Sequence, residues 1–370
     1  MQWMVQLSWL FLLASQLCQA EQRIEADAIK ALQLPPGFKI SVFADHLPAA
    51  RSLALGEQGE IYVGTAIDKV FAVVDKDGDG FAEQHYLIAE HLNQPNGVAY
   101  QNHGLFVGEI HRIIRFDGIN RSFPVMPKPQ VVYDQFPTDP HHGAKYLRFG
   151  PDGKLYSAIG APCNSCQIAG TPFGSLVRMN PDGSEFEYLA TGIRNSVGFD
   201  WHPQTGSLFF NDNGRDYLGD DAPPDELNQW QTLGDDFGFP YCHAGLITDP
   251  EIKSEKTCQQ SIAPVWRYQA HIAPLGMRFY TGKRFPPEYQ QQLLVAQHGS
   301  WNRSKPQGYQ IALLKFQQGK PYQEQTFISG WLKANGEIIG RPVDLLIRPD
   351  GSLLISDDKQ GLIYKVEYQP

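Results

Sequence analysis

Six times along the chain, a turn rich in Gly, Asp or Pro runs into a short strand-like stretch of alternating apolar residues. The phrases are 56–65 (GEQGEIYVGT), 102–109 (NHGLFVGE), 150–160 (GPDGKLYSAIG), 202–213 (HPQTGSLFFNDN), 288–299 (EYQQQLLVAQHG) and 349–358 (PDGSLLISDD). No long stretch carries the helical period of apolar residues, so helix should be scarce. Spacings of about fifty residues are what four short antiparallel strands and their turns consume. The pattern predicts an all-β chain, a six-bladed β-propeller in which each phrase is one strand of a blade. Before it, residues 21–40 are expected to hold one helical turn stopped by Pro35 and Pro36, with the first strand over 40–43. Over 214–274 the rhythm breaks into a stretch with Gly, Asp, Pro and two cysteines, read as an insertion on one rim. Loops from all blades should converge around one channel, so residues far apart in sequence can share a site.

Composition changes this picture little. The 370 residues contain no Pro/Ser-rich or charge-run linker, and 12% aromatics with 35 Gly and 27 Pro suit many short strands in one domain. The net charge of −9 is spread along the chain, which argues against nucleic acid as a partner because phosphate binding needs a basic face. The first twenty residues hold an apolar run over 7–17 followed by Cys18, Gln19 and Ala20, a small-residue cleavage pattern. The reading is a signal peptide over 1–20, a mature domain over 21–370 and a secreted or periplasmic protein. The apolar run is too short for stable membrane insertion. Four cysteines then remain, Cys163, Cys166, Cys242 and Cys258, and two disulfides are expected in an oxidising compartment. Cys242 with Cys258 would staple a surface excursion, while the CxxC of Cys163 and Cys166 suits a tight bridge, a redox pair or half a zinc site.

Several clusters carry candidate chemistry. Asp75, Asp77, Asp79 and Glu83 stand at positions 1, 3, 5 and 9 of a loop with Gly80 at position 6, a pattern suited to Ca²⁺. Tyr86 replaces the twelfth-position Glu, so this is not a complete EF-hand. His141 and His142 precede the third phrase, where a His can serve as general base and Lys145 can neutralise an anion. Arg194 and Asn195 precede the fourth, offering a cationic fork and an amide. Asn211, Asp212, Asn213, Gly214, Arg215 and Asp216, followed by Asp220, Asp221, Asp225, Glu226 and Asn228, concentrate oxygen ligands that suit a second Ca²⁺ or form a solvated acidic loop. Arg303 and Arg341 begin later blade units, and together the cations suggest a polyanionic ligand in the channel mouth.

Taken in order, HGAKYLRFGPDGKLY from His142, GAPCNSC from Gly160, TGIRNSVGFDWHP from Thr191, APLGMRFYTG from Ala273, AQHGSWNRS from Ala296 and GRPVDLLIRPDGSLLISDD from Gly340 resemble the soluble quinoprotein glucose and sorbosone dehydrogenase family, most closely its sorbosone branch. The resemblance implies a propeller that holds pyrroloquinoline quinone (PQQ) and Ca²⁺ and oxidises a sugar, an aldose or osone, to a lactone or acid. It implies that His142 removes the hydroxyl proton while hydride passes to the quinone, with Arg194 and Asn195 beside the reacting carbonyl. It further implies that Gly214 and Arg215 offer backbone carbonyls to Ca²⁺ and that Arg341 grips a PQQ carboxylate, with Arg303 or Lys145 standing in for a cofactor-binding lysine. Without a CxxCH haem motif, electrons leave to an external acceptor, a cytochrome or quinone. Two departures stand out. Ala161 occupies the place of an Asp that orients the catalytic His, and Val343 that of a second arginine. Competing readings are a Ca²⁺-dependent propeller lactonase, with carboxylates and Asn at its centre, and a non-catalytic propeller that binds glycan or protein through exposed Trp230, Trp266 and Trp301. Sequons at Asn120 and Asn302 matter only in a glycosylating host, and the second would obstruct the site.

Overall fold

The computed structural model describes residues 29–119, 123 and 125–370. The proposed signal peptide and Asn120 of the first sequon lie outside the described residues. Strand pairing resolves into six main antiparallel sheets, five of them four-stranded, which form the six blades of a β-propeller. The innermost strands are Ala50–Leu55, Gly97–Gln101, Arg148–Phe149, Phe199–Trp201, Pro274–Phe279 and Pro342–Ile347, and in blades 1 to 5 the innermost strand is also the first of its blade in sequence. The ring is sealed in blade 6. There the N-terminal strand Phe38–Ala44 pairs antiparallel with the C-terminal strand Leu362–Tyr368 as the outermost strand. Ile29 and Lys30 are helical ahead of it, and two single-turn 3₁₀ segments occur at Cys258–Gln260 and Pro287–Tyr289.

Each of the six sequence phrases becomes the turn into, and the body of, the second strand of a blade: Ile61–Thr65, Gly104–Gly108, Leu155–Ile159, Leu208–Asp212, Leu293–Gln297 and Leu353–Asp357. All five residues in every one of these strands are buried. Their alternation therefore runs between two cores instead of between core and water. Ile61 and Val63 pack into the core between blades 6 and 1, while Tyr62 packs into the core between blades 1 and 2. Likewise Leu353 and Ile355 face blade 5 and Leu354 faces blade 1. Six apolar clusters of this kind, one per blade junction, hold the ring together. Burial of apolar area on both faces of each sheet, at about 25 cal/mol per Å², is the main favourable contribution to closure.

The stretch 214–274 supplies the third and fourth strands of blade 4, Pro224–Gln229 and Trp266–Ala270, and an excursion between them. That excursion places Asp235–Asp236 parallel to the outer strand of blade 3 and forms a small hairpin, Cys242–His243 with Ile247–Thr248. Disulfides join Cys163 to Cys166 and Cys242 to Cys258. Among the described residues, no helix is long and apolar enough to cross a membrane.

Candidate active site

At the end of the channel where the innermost strands begin and the second strands finish, loops from five blades enclose a cavity of about 290 Å³. His142, Arg194, Asn195, Gly214 and Arg341, scattered over two hundred residues of sequence, all line it. Backbone geometry sets several of the lining side chains. His142, His271 and Ala273 each adopt positive φ, at 52°, 64° and 51°, a conformation costly for residues with a Cβ and concentrated in proteins at functional sites.

His142 is oriented by the main chain. Its Nδ1 lies 2.9 Å from the carbonyl oxygen of Ala161. A carbonyl only accepts, so Nδ1 carries the proton and Nε2 keeps its lone pair. Burial, then the positive charge of Arg194 and the neighbouring His141, pull its pKa from 6.5 down to about 3. The ring is neutral and able to accept a proton. Gly160 makes room for this arrangement, since a Cβ there would come within 2.5 Å of His142 Cβ.

Arg194 is almost wholly buried, and its guanidinium is fixed from several sides. Nε donates to the Asn164 carbonyl at 2.9 Å, Nη1 to the Asn213 carbonyl at 3.2 Å, and Nη2 to Asn164 Oδ1 at 2.9 Å and Asp216 Oδ2 at 3.0 Å. The backbone of Arg194 and Asn195 is held by one carboxylate, Asp212, whose two oxygens accept their amides at 2.9 and 2.6 Å. Arg341 donates to the carbonyls of His298 (3.2 Å) and Gly299 (2.9 Å) and lies over the Tyr309 ring. The apolar floor is built from Val197 and Leu275 with Val343 packed behind them.

Other expected residues fall elsewhere. Lys145 is buried outside the cavity lining. Its Nζ donates to the Gly143 carbonyl and sits 5.2 Å from the Phe136 ring centroid, and burial lowers its pKa to about 7. Arg303 binds the backbone of Asp220 and the carboxylate of Asp221, so it ties two rim loops together. The Arg215 side chain is buried against Asp249 at 2.6 Å and Glu251 at 3.1 Å, which leaves only its backbone as a possible ligand. Asp75, Asp77 and Glu83 bring ligand oxygens within 4.8 Å of one another in the blade 1 loop between Val70–Val74 and Gln84–Ala89, far from the cavity in the fold. In the same loop, Asp79 accepts the Phe81 amide at 2.8 Å.

The TrAA12-like family model matches residues 32–369. The chain belongs to this family. The TrAA12-like family is one of PQQ-dependent oxidoreductases. A protein of Borreliella burgdorferi described only as uncharacterized is 31% identical over 384 residues, covering 97% of this chain and 96% of that one. The Trichoderma reesei carbohydrate-active enzyme of family AA12, solved in iodide and calcium forms, superposes with a TM-score of 0.79 at 18% identity. The iodide form covers 91% of this chain and is itself covered to 98%. The holo pyranose dehydrogenase PQQ domain of Coprinopsis cinerea gives a TM-score of 0.75 at 16% identity, over 91% of this chain and 97% of that one. At such identities the solved structures establish the propeller fold.

Sequence reasoning passed over Arg51 of this TrAA12-like chain and gave His298 and Asn302 no role of their own, while Asp225 stood in the acidic cluster expected to hold Ca²⁺. Arg51, at the start of the blade 1 inner strand, lines the cavity and pairs with Asp358 at 2.9 Å. His298 shares that carboxylate at 3.0 Å, and burial draws its pKa down to about 4. Asp225 accepts the amides of Gly214 (2.7 Å) and Ala273 (2.9 Å), while burial raises its pKa to about 7. The signal for Arg51 was weak because it lies in an ordinary strand, with no motif around it. Asn302, taken from the second sequon, lines the cavity with Oδ1 buried and without a protein partner.

Proposed function

We propose that this chain is a PQQ-dependent sugar dehydrogenase that oxidises an aldose or osone to a lactone or acid, with His142 as general base and electrons leaving to an external acceptor. The observation that carries the reading is the neutral His142, its Nε2 free, on the same cavity as three arginines. The residues fit the cofactor. Arg51, Arg194 and Arg341 supply cations for a polycarboxylate, the Val197 and Leu275 floor suits a flat ring, and buried Asn302 Oδ1 awaits a donor. Arg51 supplies a further cation where Val343 stands in place of the second arginine. PQQ, when bound, supplies the two-electron acceptor.

The chain's own residues perform the rest. His142 Nε2 takes the proton from the substrate hydroxyl as the C–H bond breaks. The fixed Arg194 guanidinium and the Asn195 amide present positive potential where negative charge develops, without reorganisation during the reaction. Carbonyls of Gly214 and Arg215, with Asp216 and Asp225 close by in sequence and on the cavity wall, offer the oxygen surroundings a Ca²⁺ requires. A second Ca²⁺ in the Asp75, Asp77, Asp79 and Glu83 loop is structural. At the mouth, Trp301 and Tyr217 are 65% and 69% exposed and meet edge to face at 5.8 Å, a platform for the apolar face of a sugar ring. The two disulfides support secretion or a periplasmic location after cleavage near Ala20.

A lactonase would have no use for three arginines in the cavity, and a binding propeller none for the oriented His142. The test is dye reduction by the PQQ- and Ca²⁺-loaded protein across a panel of aldoses and osones, run beside His142→Ala. Sugar-dependent reduction that His142→Ala abolishes supports the reading; lactone hydrolysis without sugar-dependent reduction would replace it.

A further inference from the structure

The tight CxxC loop touches the centre of the cavity through one residue. Asn164, between the bridged Cys163 and Cys166, accepts two of the four side-chain hydrogen bonds of Arg194, one through its carbonyl and one through Oδ1, both at 2.9 Å. The same Oδ1 accepts the Asp216 amide at 2.7 Å, and Asn164 Nδ2 donates back to the Asp216 carbonyl at 3.1 Å. Asp216 in turn receives Arg194 Nη2 at 3.0 Å. Two residues from two loops, Asn164 and Asp216, thus close a ring of hydrogen bonds around the guanidinium. Next to Asn164, Ser165 Oγ donates to Asp249 at 2.9 Å, and that carboxylate also receives Arg215 at 2.6 Å and His243 at 2.8 Å. The loop itself lies outside any strand and is closed covalently across a separation of 3 residues. Both cysteines are only part-buried.

We propose that Asn164 is the positioning residue for Arg194 and that the Cys163–Cys166 disulfide holds it there, so that reducing this one bridge loosens the cation at the heart of the cavity. The proposal deepens the dehydrogenase reading and rests on it only for its cofactor-binding readout. The reductant is a dithiol. It attacks one bridge sulfur, the S–S bond breaks, two electrons and two protons pass to Cys163 and Cys166, and the dithiol becomes a disulfide. Once the loop relaxes, Arg194 keeps Asp216 and the Asn213 carbonyl but loses the two contacts that set the plane of its fork.

The experiment uses the full mature chain, as wild type, as Asn164→Ala and as Cys163→Ser/Cys166→Ser. Hydrogen exchange of the apoprotein is expected to rise at 194–195 and 213–216 in both variants, with blades 1, 2, 5 and 6 unchanged. PQQ affinity, measured with Ca²⁺ by cofactor absorbance, is expected to weaken tenfold or more. In an Arg194→Ala background Asn164→Ala should cost nothing further, because it acts through that arginine. Unchanged exchange at 194–195 in Asn164→Ala, or full additivity with Arg194→Ala, overturns the proposal. If the serine double variant does not fold, Asn164→Ala decides. If wild type fails to bind PQQ, the dehydrogenase reading falls and the exchange data still decide the clamp.

Discussion

His142 Nδ1 and the carbonyl oxygen of Ala161 stand 2.9 Å apart, and because a carbonyl only accepts, this contact puts the proton on Nδ1 and the lone pair on Nε2. Where the family resemblance implies a carboxylate behind the histidine, a main-chain oxygen does the orienting. The difference is electrostatic. A carboxylate would raise the histidine's pKa and stabilise the imidazolium, whereas a neutral carbonyl fixes the tautomer and lends little charge.

Removing the imidazole of His142 tests its proposed role as base. His142→Ala is expected to lower turnover by roughly two to four orders of magnitude while PQQ binding persists, because the arginines remain. Gly160→Ala should do similar damage from behind, since its Cβ would fall 2.5 Å from His142 Cβ and 2.6 Å from His142 O. Paired kcat and PQQ-affinity measurements on both variants check this, and unchanged turnover in His142→Ala would remove the residue from the mechanism.

The depressed pKa of His142 predicts a stability trend. In the folded apoprotein it protonates near pH 3, in the unfolded chain near 6.5. Between those values the unfolded state binds more protons, so this residue's contribution falls as pH is lowered from 6.5 toward 3. Asp225, its pKa raised by burial to about 7, works in the opposite sense, losing stability as pH rises. Melting curves of wild type and His142→Gln separate the two. The variant should gain relative to wild type as pH falls from 6.5 to 4, and a parallel pair of curves would contradict the burial-driven shift.

The two bridges have separable roles. Cys242–Cys258 closes a separation of 16 residues, and its loss is expected to cost about 3 kcal/mol by loop-closure entropy. Cys242→Ser/Cys258→Ser should therefore lower Tm with little change in PQQ affinity. A large affinity loss at unchanged Tm would reverse that assignment.

The blade 1 loop gives a metal prediction independent of the cavity. Adding Ca²⁺ to apoprotein should raise Tm by linkage, and Asp75→Asn/Asp77→Asn should remove the part of that gain that the loop contributes while leaving sugar oxidation at saturating Ca²⁺ intact. Equal Ca²⁺-induced shifts in variant and wild type would take the loop out of the account.

The architecture was legible because each blade repeats one physical problem. A second strand buried on both sides must be apolar along its whole length, and six such runs with turn residues before them are hard to miss. Charged residues at the entrances to strands were legible for the same reason, which brought His142, Arg194 and Arg341 forward. Arg51 was not, since nothing in its strand distinguishes a channel-facing arginine from a surface one. Lys145 and Arg303 had the right charge beside the right motifs, yet Lys145 turns inward beneath Phe136 and Arg303 bridges to Asp221. Side-chain direction at a loop depends on packing partners from other blades, which linear spacing does not encode. The link from Asn164 to Arg194 spans 30 residues and two loops, and only the folded ring displays it.

The central claim is that the cavity holds PQQ. Titrating mature apoprotein with PQQ in the presence of Ca²⁺, read by absorbance, tests it most directly. The account predicts saturable one-to-one binding that Arg341→Ala and Arg194→Ala each weaken. No binding at micromolar PQQ with Ca²⁺ present, or equal binding by both arginine variants, would contradict it.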